Sequence, residues 1–163
     1  MYNNALMASK LLSKEEVAKK IYTWRFLGDK IVFTNGCFDL LHLGHVDYLS
    51  KAASLGQRLV IGLNSDFSTK NLKGNNRPIQ DEYSRAMLLA SMFFVDAVVL
   101  FDEATPFELI KFIQPDVLVK GSDYTIDKIV GADIVMANGG VVKTIDYIPG
   151  YSTSAIEQKI KAF

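Results

Sequence analysis

The segment Thr34-Asn35-Gly36-Cys37-Phe38-Asp39-Leu40-Leu41-His42-Leu43-Gly44-His45 holds both histidines of the chain and separates two dissimilar patterns. Before it, Lys30 to Thr34 (KIVFT) is a β-branched run ending on the turn-forming pair Asn35 and Gly36, which reads as a buried strand opening into a loop. After it, His45 to Leu55 reads as a helix stopped by Gly56. The two histidines, three positions apart, therefore lie where a strand leads straight into a helix, and Gly44 between them permits close backbone approach to a ligand. Unpaired N–H groups and the macrodipole make a helix N-terminus attractive to phosphate. Two imidazoles beside that end can donate hydrogen bonds to a phosphate as negative charge builds during displacement.

The same strand and helix alternation extends in both directions. Ser13 with Glu16 forms a capping box, and Val17, Ile21, Trp24 and Leu27 recur at helical spacing toward Gly28. Ile21, Trp24 and Phe26 of this first helix either pack on a sheet or serve a homodimer. Arg58 to Leu63 reads as a second strand, followed by a polar stretch, Asn64 to Gln80, expected as loop. Asp81 to Val95 reads as helix and Ala97 to Phe101 as a third strand. Thr105 as N-cap, Pro106 at the first helical position and Glu108 as capping-box partner start a helix running to about Ile113. Asp116 to Lys120 and Val141 to Ile145 are strands four and five, with a short helix around Ala132 to Ala137 between them, and Ser152 to Ala162 closes the chain as a helix.

Strands apolar throughout, alternating with helices, predict an α/β fold: an open parallel five-stranded sheet with helices on both faces. Ligands in such sheets sit outside the carboxyl ends of the strands, so the loops at residues 35–44, 64–77, 120–124 and 146–152 are where chemistry is expected.

Composition narrows the function. With 163 residues, 49% hydrophobic and 22% charged, the chain fits one folded domain rather than disorder or a fibre. Eighteen basic residues balance eighteen acidic ones, which argues against nucleic acid or an anionic membrane as partner. No apolar run reaches the ~18 residues of a membrane helix. Residues 1–10 lack the features of a secretion signal and are expected to be a loose lead-in to a domain over 11–163. The single cysteine cannot make an internal disulfide, which suits the cytoplasm, and two histidines without further Cys or His fall short of a zinc ligand set.

A histidine beside apolar residues is most often structural, but here two lie with two glycines behind a strand. The HxGH element, His42-Leu43-Gly44-His45, behind Gly36-Cys37-Phe38-Asp39, resembles the cytidylyltransferase-like nucleotidyltransferase superfamily. The family's Ser/Thr-rich turn opening the last helix is matched by Gly150-Tyr151-Ser152-Thr153-Ser154. More narrowly, Asn64-Ser65-Asp66, Lys73-Gly74 through Arg77-Pro78, Arg85, Val119-Lys120-Gly121-Ser122-Asp123-Tyr124 and Ala137-Asn138-Gly139-Gly140 resemble the adenylyltransferase domain of the bacterial heptose pathway, a Rossmann-like fold. The likeness runs from about Leu11 to the end.

The resemblance implies conversion of a heptose 1-phosphate and ATP to ADP-heptose and pyrophosphate, a lipopolysaccharide precursor step. It implies catalytic roles for His42, His45 and Lys120. Nucleotide would be held by Asn35, Gly36, Cys37, Phe38, Gly44, Lys73, Arg85, Gly121, Asp123, Tyr124, Tyr151, Ser152, Thr153 and Ser154. Asn64, Asp66, Lys73 and Arg77 would hold the sugar phosphate. Asp39 either binds there too or caps the histidine loop. Mg²⁺ is expected, held mainly by phosphate oxygens, with no protein ligand assigned. Family members are often dimers, and the kinase to which such domains are commonly fused is missing from this sequence, which implies a separate sugar kinase upstream. Glycerol-phosphate cytidylyltransferases, also similar, carry an arginine just before the Ser/Thr turn. Here Asp146-Tyr147-Ile148-Pro149 stands in that place. The alternatives are thus a cytidylyltransferase acting on a small phosphorylated alcohol such as glycerol 3-phosphate, and a non-catalytic nucleotide-binding module.

Overall fold

The computed structural model describes residues 4–162. Five parallel strands, β1 (Ile31–Gly36), β2 (Arg58–Asn64), β3 (Ala97–Phe101), β4 (Val117–Gly121) and β5 (Val141–Ile145), form one sheet in the order β3-β2-β1-β4-β5. The helices are α1 (Asn4–Ala8), α2 (Lys14–Phe26), α3 (Leu43–Ala53), α4 (Asp66–Lys73), α5 (Glu82–Ala90), α6 (Phe107–Ile113), α7 (Ala132–Ala137) and α8 (Thr153–Lys161).

Both faces of the sheet are covered over β1 to β4, which is why these strands read as largely apolar runs, while the outer strand β5 has only Val142 buried. Along β1, Ile31 and Phe33 enter one core with Trp24 of α2 and Ile110 of α6, while Val32 enters the other with Leu49 of α3 and Leu89 of α5. The same alternation of period two separates Leu118 of β4 from its neighbours Val117 and Val119. Each buried side chain of this size contributes roughly 1.5–3 kcal/mol of transfer free energy. From β1 the chain winds outward through β2 to β3 and then returns to lay β4 against the other side of β1. The strand order reverses there, and a crevice opens beyond the carboxyl ends of β1 and β4.

The capping box of α2 is formed, with the Glu16 N–H donating to Ser13 and the Ser13 N–H donating to Glu16. Ile21 and Trp24 are core residues, whereas Phe26 is 83% exposed. Four local expectations are corrected. The polar stretch after β2 is not all loop: Ser65 caps α4, accepting from the Ser68 N–H at 3.1 Å. Helix α5 ends at Ala90 rather than Val95. At α6 the N-cap is Pro106 and no side-chain cap bond forms, so the Thr105 and Glu108 box is absent. Residues 4–8 of the expected lead-in are helical, and the Val98 N–H donates to the Lys10 carbonyl at 2.8 Å while the Leu12 N–H donates to Val98 at 2.9 Å. No described helix is long and apolar enough to cross a membrane.

Candidate active site

The end of β1 turns sharply into α3. Phe38 holds a left-handed backbone, φ +44°, a strained state for an aromatic residue. A β-carbon on Gly36 would meet the Phe38 ring at 3.0 Å, so the glycine leaves room for this fold-back. The ring in turn meets His45 edge-on, with centroids 5.3 Å apart. His42 is the N-cap of α3, and its imidazole stacks on that of His45 at 3.8 Å and 20°. Among the described residues the Nδ1 atoms of both rings are buried without a partner. Burial lowers the pKa of His42. It lowers His45 further, to about 4, with the neighbouring positive charge of His42 and Lys73 adding to the effect and the Leu40 carbonyl opposing it. Both rings are therefore neutral near pH 7, each with one N–H to donate.

A cavity of about 480 Å³ opens beside this loop. Asn35, Gly36, Cys37 and Phe38 line it from β1, and His45 lines it from α3. Asn64 ends β2 on its wall and Lys73 ends α4 there. Lys120, Gly121, Asp123 and Tyr124 close it from β4. Lys120 crosses the crevice to donate to the Asn35 carboxamide and lies 5.9 Å from the centre of the Tyr124 ring. Burial lowers its pKa to about 8, although Asp123 and Cys37 favour the charged form. An ammonium desolvated in this way is a strong donor toward an anion that displaces water.

The Ser/Thr turn meets the histidine loop. A β-carbon on Gly44 would lie 3.1 Å from the His42 ring and 3.3 Å from the Tyr151 β-carbon. Ser152 then caps α8, accepting from the Ala155 N–H at 3.1 Å. Tyr151 thus packs against the histidine loop, and none of Tyr151, Ser152, Thr153 and Ser154 lines the cavity wall.

Four charged residues expected to touch nucleotide or substrate are engaged within the protein. Arg85 is fully buried. It donates to the carbonyls of Cys37 at 2.6 Å, Asn64 at 2.9 Å and Gln80 at 3.0 Å, and to the Asp66 carboxylate at 2.7 Å. Four of its five N–H groups are thus spent tying the ends of β1 and β2 together. Asp66 is its counter-ion. Asp39, 3% exposed, accepts from the N–H groups of Ile79 and Gln80 and from Arg77 at 2.9 Å. Burial alone pushes its carboxyl up, but the Gln80 and Ile79 N–H groups and the Arg77 guanidinium outweigh that and hold it below the usual range. Of its two readings, the loop cap is the one these bonds support.

Tyr48, Thr105 and Lys128 line the wall and escaped the sequence reading, and Tyr147 lines it from the loop at 146–152, which was expected to carry chemistry without this residue being singled out. Tyr48 had a signal, because it follows His45 by three positions on the same helical face. Its hydroxyl lies 2.8 Å from that of Thr34. Tyr147 lies against Gly121 so closely that a β-carbon there would fall 2.0 Å from its hydroxyl. Burial, with Asp123 beside it, pushes the Tyr147 pKa up to about 12.

A parallel sheet carrying a nucleotide-sized cavity, stacked imidazoles and a capped helix start at its switch point defines a Rossmann-like α/β fold of the nucleotidyltransferase type. The chain belongs to the cytidylyltransferase-like family, whose model matches residues 33–159. It is 52% identical over 157 residues to the bifunctional protein HldE of Methylobacillus flagellatus, covering 96% of this chain and 32% of that protein. With the bifunctional protein HldE of Campylobacter jejuni subsp. jejuni serotype O:2 it shares 53% identity over 152 residues, 93% of this chain and 32% of that protein. The chain thus spans about a third of the length of these relatives. Among solved structures it resembles the lipopolysaccharide core biosynthesis protein of Thermoplasma volcanium, with TM-score 0.59 and 32% identity over 74% of this chain and 98% of that one.

Proposed function

We propose that the chain transfers the adenylyl group of ATP to a heptose 1-phosphate, giving ADP-heptose and pyrophosphate. The observation that carries this reading is the packing of Tyr151 and His42 on either side of Gly44, which brings imidazoles and a hydroxyl-bearing helix start within reach of one triphosphate. A phosphate oxygen of the sugar attacks the α-phosphorus. The bond from that phosphorus to the bridging oxygen of the β-phosphate breaks, and pyrophosphate leaves with the electron pair. Neutral His42 and His45 donate to the α-phosphoryl oxygens, and Lys120 adds positive charge from across the crevice. Backbone groups of Gly36, Cys37 and Phe38 line the nucleotide. Gly121, Asp123 and Tyr124 flank its base, and the start of α8 takes the β- and γ-phosphates. Asn64 and Lys73 face the sugar phosphate. Arg85, Asp66 and Asp39 act by holding the loops.

No group of three or more His, Cys, Asp or Glu among the described residues converges as a metal cage. The wall carboxylate is Asp123. This donor set suits a Mg²⁺ carried by phosphate oxygens and water, with no protein ligand assigned, and the ion would neutralise triphosphate charge. The sugar 1-phosphate would be supplied by a sugar kinase, fused to such a domain or separate from it. The ATP requirement and a single cysteine suit the cytoplasm.

The test is pyrophosphate release from the purified chain with Mg²⁺, ATP or CTP, and a panel of sugar 1-phosphates. ATP with a heptose 1-phosphate should react, and CTP should not. His42→Ala and His45→Ala should each lower turnover by ~100-fold or more while ATP still binds, the usual worth of a transition-state donor. Turnover with CTP and glycerol 3-phosphate alone would replace this reading with the cytidylyltransferase one.

A further inference from the structure

Arg77 joins two segments that the sheet does not join. Its Nη1 donates to the buried Asp39 carboxylate of the histidine loop at 2.9 Å, and its Nη2 donates to Glu157 of α8. Helix α8 has few other anchors: none of its residues is buried. Its start is held by the packing of Tyr151 on Gly44, and one turn further on by the Arg77 and Glu157 pair. The pair is well shielded, with side chains 18% and 24% exposed, and Asp39 is only 2% exposed, so its attraction is screened far less than that of a surface ion pair.

We infer that Arg77 is a positioning residue that clamps α8 to the histidine loop, so that the site for the β- and γ-phosphates is fixed relative to the imidazoles before nucleotide arrives. The inference rests on the adenylyltransferase reading above. Arg77 touches neither nucleotide nor sugar. Its planar fork serves two carboxylates at once, a geometry that a lysine cannot reproduce. Loosening the clamp therefore weakens whatever α8 holds and spares what the cavity holds.

Calorimetric titration with ATP and, separately, AMP reads this directly, because AMP lacks the two phosphates assigned to α8. Arg77→Ala strands the buried Asp39 charge and risks unfolding the loop, so Glu157→Ala is the primary variant. Glu157→Ala is expected to weaken ATP about tenfold, the worth of one charge-assisted hydrogen bond, while AMP affinity stays within about twofold. Arg77→Lys should lie between wild type and Glu157→Ala for ATP. Adding Glu157→Ala to Arg77→Ala should cost little beyond Arg77→Ala alone. Equal weakening of ATP and AMP, or unchanged ATP affinity in Glu157→Ala, overturns the inference. A wild type that binds neither nucleotide sinks this clamp and the function together, whereas one that shows the ATP and AMP split yet releases no pyrophosphate with any sugar sinks the function alone.

Discussion

His45 shows how a single side chain reports on its surroundings. Its ordinary pKa of 6.5 falls to about 4 on folding, chiefly through burial and then through the adjacent His42 and Lys73. Between those two values the unfolded chain binds more protons than the folded one, so stability rises with pH across the window and drains away as pH falls from about 6.5 toward 4. The loss should be on the order of 2 kcal/mol, measured by urea unfolding at a series of pH values, and His45→Gln should flatten it. Asp39 has the opposite direction of shift relative to its charge. Its folded pKa lies below the ordinary 3.8, so its contribution is present above that value and disappears only in stronger acid. The two windows do not overlap, which lets one titration separate them. The residue scale is also where the sequence misled. Arginine at position 85 was legible as a cation, but composition carries no direction, and the side chain turns inward to four protein acceptors.

Elements were legible in proportion to how much of their pattern was hydrophobic. The strands β1 to β4 were clear because they are largely buried, whereas β5, of which only Val142 is buried, was legible from its β-branched residues and the glycines before it. Helix α4 was not, because its eight residues, Asp66–Lys73, are mostly polar and include Ser, Thr and Asn. Its formation depends on the Ser65 cap and on contacts such as the Ser68 hydroxyl donating to the Glu103 carbonyl at 3.0 Å. The start of α3 offers a sharper test of element geometry. Gly44→Ala raises intrinsic helix propensity by about 1 kcal/mol, yet its new methyl group must displace the His42 ring or the Tyr151 turn, at 3.1 and 3.3 Å. Thermal unfolding should therefore be unchanged or slightly improved while pyrophosphate release drops roughly tenfold or more, since small misplacements of catalytic groups are costly. A variant as active as wild type would show that the loop tolerates the shift and that the contact is incidental.

At the scale of the molecule, the sheet collects at one rim residues that lie far apart in the chain. The location of the chemistry was predictable from the parallel topology. The membership of Thr105 and Lys128 was not, because no local pattern marks them as residues of the site. The same topology leaves two outer strands, and they differ. Along β3 the backbone from Lys10 to Leu12 runs parallel to Val98 and exchanges hydrogen bonds with it, so part of that border is already occupied by the chain's own leading segment. Removing residues 1–12 should leave the outward Val98 N–H and carbonyl unpaired on the sheet edge, and light scattering should then report concentration-dependent self-association where the intact chain shows less. The leading segment thus works as a selvedge, the woven border that keeps a cloth from unravelling into its neighbour.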